Sequence, residues 1–285
     1  MEIEKKELKT IVYAQGLASK FIGGLVGGGT ALITANPILG SLVGAGLAHT
    51  LETVGKEVIE RHLTARQELR VGRAIAIAYG QLKEHEAAGR RVRSDDFFVS
   101  EGGVRSPGDE ITEATLMAAM DSAEEQKVDF IGTLLANVAT NPDISVPTAH
   151  VLIDQAERLT YRSYMLLKIA ADIDSYGFGF RHEKAALERN RDAELLALQF
   201  EAYELHQSGL IELKQSEETK NTLAVFGPDD FDPGYMRLNA LGRAFHDNLG
   251  LNEMNANDQF QKVVDSLRVL SETGSSEAVI DGGFA

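Results

Sequence analysis

Ten side chains have the types and spacing to hold an anionic or stacking ligand. Arg90, Arg91 and Arg93 are the densest basic cluster in the chain. They lie in GRRVRSDDFFVSEGGVRSPGDE (89–110), whose glycine, serine, proline and clustered charge mark a connector. As a solvated loop they need no ligand. As an anion site they would gain from repetition around an oligomer axis, which concentrates the field. The second group is SYGFGFRHEK. Tyr176, Phe178 and Phe180 alternate with glycines and run into Arg181 and His182. Aromatics beside a cation can stack the bases of a single strand. A short strand and turn with aromatics filling the core is the competing reading. Tyr161 and Arg162 open the helix that precedes them.

Catalytic chemistry is not legible. There is no G-x-x-x-x-G-K loop, and Gly23 to Gly29 lacks both the lysine and a preceding strand. No two of the seven histidines are spaced as paired ligands. The serines lack a nucleophile-elbow context. Asp229, Asp230 and Asp232 sit in a proline–glycine turn that could at most hold a cation loosely. No enzyme, cofactor or resident metal is expected. The net charge of −15 argues against a general nucleic-acid coat. The stretch 109–159 carries ten acids against two bases, so a polyanion would have to use a local pocket. The chain lacks cysteine, which removes disulfides and thiol ligands and fits a cytoplasmic or inner-membrane protein. No cleavable signal is evident in MEIEKKELKT.

These residues must be positioned by helices, and one stretch organises the rest. Between Lys20 and Glu52 lie 31 residues without an Asp, Glu, Lys or Arg. That exceeds the roughly 18 at which a membrane segment becomes the default reading. The stretch is dense in glycine. Each glycine costs a helix about 1 kcal/mol relative to alanine, and close helix approach is the usual compensation. Gly23 with Gly27, Gly24 with Gly28, and Gly40 with Gly44 have the small-xxx-small spacing of such contacts. Asn36-Pro37 implies either a kinked span or a re-entrant hairpin, both calling for an oligomer around a pore or cavity. Lys5, Lys6, Lys9 and Lys20 flank it on a predicted amphipathic helix, 3–22. A soluble glycine-zipper hairpin in a helical core is the alternative, since Thr30, Thr34, Ser41, His49 and Thr50 make the stretch less apolar than a lipid-facing span.

The expected fold is mainly α. N-terminal glycine-rich membrane helices precede a soluble helical domain with a C-terminal winged-helix-like module. The boundaries are 1–88 for the amphipathic and membrane helices, 89–110 for the connector, and 111–270 for the sensor domain. The winged-helix-like part covers about 160–252, and 271–285 is a mobile tail. Apolar periodicity predicts helix from Glu52 to about Ala88, a pair over 111–139 split near Ser122, and helices opening at Val146 and Thr160. AELLALQFEAYELHQSGLIEL reads as a helix running through Gly209 into a strand at 210–213. Thr222–Phe226 reads as a second strand, and YMRLNALGRAFHDNLG as a strand entering a helix. A last helix is predicted over 255–270. Glu194, Glu201 and Glu204 on the candidate recognition helix would repel phosphates, so this module reads as a protein–protein or gating element.

The layout resembles bacterial anti-phage membrane effectors of the Hailong protein A type: a glycine-rich apolar N-terminal stretch, a long helix, then a helical and winged-helix half. The resemblance implies a homo-oligomeric ion channel in the bacterial inner membrane, its soluble domain cytoplasmic. It also implies a short single-stranded DNA signal, made by a partner nucleotidyltransferase, that holds the channel shut. Opening would kill or arrest the cell. The alternative is a soluble oligomeric winged-helix adaptor or regulator, with the glycine stretch as its assembly core.

Overall fold

Thr64 shows how locally this chain sets its helices. Its hydroxyl accepts from the Gln67 backbone N–H, and the Gln67 side chain accepts from the Thr64 N–H, a reciprocal capping box. The chain therefore restarts a helix at Ala65 instead of running continuously from Glu52 to Ala88. The two helices are α1 (Ala45–Ile59) and α2 (Ala65–Ala87). His62 in the turn between them has φ 59°, in the left-handed region. Capping fixed this break, whereas apolar periodicity alone passes over it.

A computed structural model describes residues 45–100, 102–178, 192–213 and 232–272. The predicted 3–22 helix, Gly23, Gly24, Gly27, Gly28, Asn36, Pro37, Gly40, Gly44, Phe180, Arg181, His182, the 222–226 strand and the tail beyond 272 lie outside the described residues. Within them the chain is mainly helical, with nine α-helices and one two-stranded antiparallel sheet. It divides into two compact units, Met1–Leu159 and Thr160–Ala285. The division falls inside the 111–270 stretch.

In the first unit, α3 (Pro107–Asp121), α4 (Lys127–Thr140) and α5 (Val146–Arg158) follow α1 and α2. Ser106 and Asp109 form the α3 capping box, with Pro107 just inside the helix start. Ser145 caps α5 by accepting from the Thr148 N–H. The breaks near Ser122 and at Asn141-Pro142-Asp143 fall where the sequence places them. A short 3-10 turn, Asp96–Phe98, sits in the 89–110 connector. The most extensive packing is α2 on α4. Gly132 permits it: a Cβ there would stand 2.7 Å from the Ala74 carbonyl oxygen. Val71, Ala74 and Ile75 of α2 meet a core containing Ile131, Leu134 and Leu135 of α4. Each large apolar side chain fully buried contributes about 1.5–3 kcal/mol. Arginines register the same two helices. Arg73 bonds Asp129 bidentately at 2.5 and 2.7 Å, and Arg66 and Arg70 both donate to Glu125 at 2.9 Å.

In the second unit, α6 (Tyr161–Ala171) is central. Packed on it are α7 (Ala193–Gln207), β2 (Met236–Leu238), α8 (Ala240–Asn248) and α9 (Asp258–Glu272). Tyr164, Met165, Leu166, Leu167 and Ile169 of α6 are buried, and the Tyr164 ring meets Phe245 edge-on at 5.7 Å. Gly209, at φ 67°, turns α7 into β1 (Ile211–Leu213), which pairs Ile211 with Leu238 and Leu213 with Met236.

Candidate ligand-binding residues

The three connector arginines have separate fates. Arg93 is buried. Its Nε and Nη2 donate to the two Asp95 carboxylate oxygens at 2.8 and 2.5 Å. Its Nη1 donates to the carbonyls of Ile144 (3.0 Å) and Asn141 (3.3 Å). The guanidinium lies over the Phe97 ring, 4.1 Å from its centroid. The Arg93 hydrogen bond holds the Asp95 carboxyl below its ordinary range. This cation joins the connector to the end of α4 and the start of α5, and its donors are engaged within the protein. Arg90 and Arg91 are exposed just past the end of α2.

His85, one turn before, is buried, with Nδ1 3.0 Å from the Thr140 hydroxyl. That hydroxyl donates to the Ala136 carbonyl, leaving its lone pair to accept from a neutral Nδ1–H. Burial, with the Arg90 charge adding to it, lowers the His85 pKa to about 4. The sign follows from linkage. The unfolded chain protonates this ring near pH 6.5 and the folded protein only near 4, so stability is lost as pH falls between those values. At about 1.4 kcal/mol per pKa unit, the loss from pH 7 to 5 is about 2 kcal/mol. Urea titrations of the first unit should show His85→Gln losing less over that interval by about this amount. An identical drop in both proteins would rule His85 out as the source.

In the second unit, Tyr161 is buried at the start of α6. Arg162 donates through Nε to Glu201 at 2.5 Å and through Nη1 to Glu194. Two of the three glutamates expected to repel phosphate are therefore offset by Arg162, and Glu204 stays exposed. The sequence offers a signal for this pairing only in the seven-residue, two-turn spacing of Glu194 and Glu201 on one helix face.

Tyr176 and Phe178 stack with ring centroids 5.8 Å apart and planes 9° from parallel, and Phe260 of α9 approaches Tyr176 at 6.4 Å. The local backbone is a 3-10 turn, Ile173–Tyr176, followed by Gly177 at φ 62°, where a short strand is expected. Phe178 is buried and Tyr176 half-exposed. Burial, with the Asp172 charge, raises the Tyr176 phenol above its usual value, so it is neutral near pH 7. This pair is thus one packed aromatic cluster with one accessible ring. The first unit holds the connector arginines and the second holds Tyr161, Arg162, Tyr176 and Phe178.

Sequence reasoning passed over Lys127. Its ammonium is buried and donates to the Glu157 carbonyl at 2.7 Å, closing the end of α5. Burial lowers its pKa against the opposing charges of Glu124 and Glu157. Among the described residues no three His, Asp or Glu side chains could hold a metal ion, and no helix is long and apolar enough to cross a membrane. No protein-family model, curated protein or solved structure matches the chain.

Proposed function

We propose that this chain is an oligomeric membrane effector, a channel of bacterial anti-phage defence, whose helical units sense a ligand. The supporting observation is the uncharged, glycine-dense stretch, which passes into α1 with no charged residue before Glu52. Leu47, Thr50 and Leu51 at its end are buried on α1. In this reading the uncharged stretch from Phe21 supplies the membrane segment, as a span kinked at Asn36-Pro37 or a re-entrant hairpin. A short single-stranded DNA oligomer would be the ligand, and Arg90 and Arg91 of the first unit are its candidate phosphate contacts, exposed just past the end of α2. A C-terminal winged-helix-like module would serve in assembly or gating.

Purified protein in liposomes tests this. The parent should release trapped dye, and a Gly24→Leu/Gly28→Leu protein should not, because leucine blocks close helix approach. Absence of leakage in the parent, or equal leakage in both, sinks the channel reading. Nucleic-acid absorbance of the purified oligomer, legible in a chain without tryptophan, tests the DNA ligand.

One observation favours a second reading. The buried Leu47, Thr50 and Leu51 make the end of the glycine stretch part of a protein core, as in a soluble adaptor assembled through that stretch. Such a protein would remain in the aqueous fraction after ultracentrifugation without detergent.

A further inference from the structure

The helix that continues the glycine-dense stretch is tied to the first unit in an unusual way. Its apolar face, Leu47, Leu51, Val54 and Val58, is buried. Its polar ties run to α3 and the residues just before it. Thr50 donates to Asp109 at 2.8 Å. The other oxygen of that carboxylate accepts the Ser106 N–H at 3.1 Å, within the α3 capping box. Arg61, just past the end of α1, pairs with Glu113, Glu113 with Arg105, and Arg105 with Glu57 of α1. The four charges alternate in sign and form one chain. Both ends are open, with Arg61 and Glu57 each 43 % exposed, and Glu113 is the most covered member at 19 %.

The side-chain pairs of the α2 arginines go elsewhere, to Glu125 just before α4 and Asp129 in its first turn, while Arg70 also donates to the Met120 carbonyl near the end of α3. The joint between α1 and α2 also has the form of a hinge. It is a short exposed turn with His62 in the left-handed region, a place where a few residues absorb a backbone change. Because Thr64 and Gln67 cap α2 independently, α1 can lift without unravelling the first turn of α2.

We propose that α1 is an arm that opens separately from the α2–α4 core, its docking on α3 set by the Glu57–Arg105–Glu113–Arg61 clasp. The clasp is the point at which the unit controls the segment entering α1. That role rests on the membrane-effector reading; the separate opening of the arm does not. Exposed pairs are screened by salt, whereas the apolar face is not; the Arg66–Glu125 and Arg73–Asp129 pairs are exposed as well, so it is the difference between the parent and Arg105→Gln that isolates the clasp.

Hydrogen exchange by mass spectrometry on the full-length protein reads the opening directly, however rare it is. Arg105→Gln should raise exchange in peptides covering 47–59 about fivefold, the worth of a partly exposed ion-pair network. Peptides of α2 and α4 should be unchanged. Glu57→Gln should act in the same direction, and Arg105→Lys should keep most of the protection. Raising salt to about 1 M should speed α1 exchange in the parent and add little in Arg105→Gln. The proposal is overturned if α1 exchange does not change, or if α1, α2 and α4 accelerate together. Dye release from liposomes separates the two ideas. A parent protein that does not leak, with an α1 that still responds alone, removes the channel and keeps the arm. A leaking parent whose rate is unaffected by Arg105→Gln, despite faster α1 exchange, removes the clasp as the point of control.

Discussion

Replacing Arg93 by methionine should destabilise the first unit by about 3–5 kcal/mol. The apolar stem is largely conserved, so the effect comes from the lost guanidinium. The carbonyls of Asn141 and Ile144 would lose a charged donor. A buried polar group left unpaired costs about 1–3 kcal/mol, more where the lost partner was charged. The contact with the Phe97 ring and the bidentate pair with Asp95 would go as well. Asp95 itself is half-exposed and can hydrate, which bounds the total. Arg93→Lys keeps the charge but cannot reach a carboxylate and two carbonyls through one fork, so about half the loss should remain. Urea dependence of hydrogen exchange in α4 and α5 peptides reads this unit separately. A loss below about 1 kcal/mol for Arg93→Met would show that water satisfies both carbonyls. The buried Arg93 fork would then contribute little net stability.

The second large effect is expected at Gly242. A Cβ there would fall inside the van der Waals shell of the Leu210 carbonyl oxygen. That oxygen belongs to backbone, so no rotamer change relieves the overlap. The carbonyl also accepts the Asn239 N–H at 3.3 Å, and the Asn239 side chain donates to the Gly209 carbonyl at 2.6 Å. The start of α8 is therefore pinned to the turn before β1 from two directions. Overpacking a tight site usually costs about 1–3 kcal/mol, and a clash between two backbones belongs at or above the top of that range. Gly242→Ala should destabilise the second unit by about 3 kcal/mol or more. The tyrosine near-ultraviolet circular dichroism reports it, because of the described tyrosines only Tyr79 lies in the first unit. Gly80 of α2 is the control. A Cβ there meets nothing within 4 Å, so Gly80→Ala should stabilise by about 0.5–1 kcal/mol through helix propensity. Equal behaviour of the two alanine variants would overturn the steric argument.

Local chemistry carried most of the element placement. Ser106-Pro107 and Ser145-Val146-Pro147 mark helix starts through capping hydroxyls and a proline that needs no N–H donor. Gly209 marks the end of α7 because few other residues take a positive φ cheaply. The α1–α2 break was equally local, a Thr–Gln capping box, but it stands inside an apolar pattern that continues across it. Periodicity measures which face is buried, not whether the helix is continuous.

The fates of the site residues were decided at longer range. Arg90, Arg91 and Arg93 are indistinguishable as a basic cluster, and only the arrival of the 141–144 turn makes Arg93 an internal tie while its neighbours stay in water. Arg162 and the α7 glutamates are 32 and 39 positions apart, and each changes the availability of the other. Composition and spacing by themselves determined that this chain is acidic, helical and built after one uncharged glycine-rich stretch. Tertiary structure alone decided which charges are spent inside the protein. An ion pair depends on which backbones come within a few ångströms, and that distance is set by packing rather than by position along the chain.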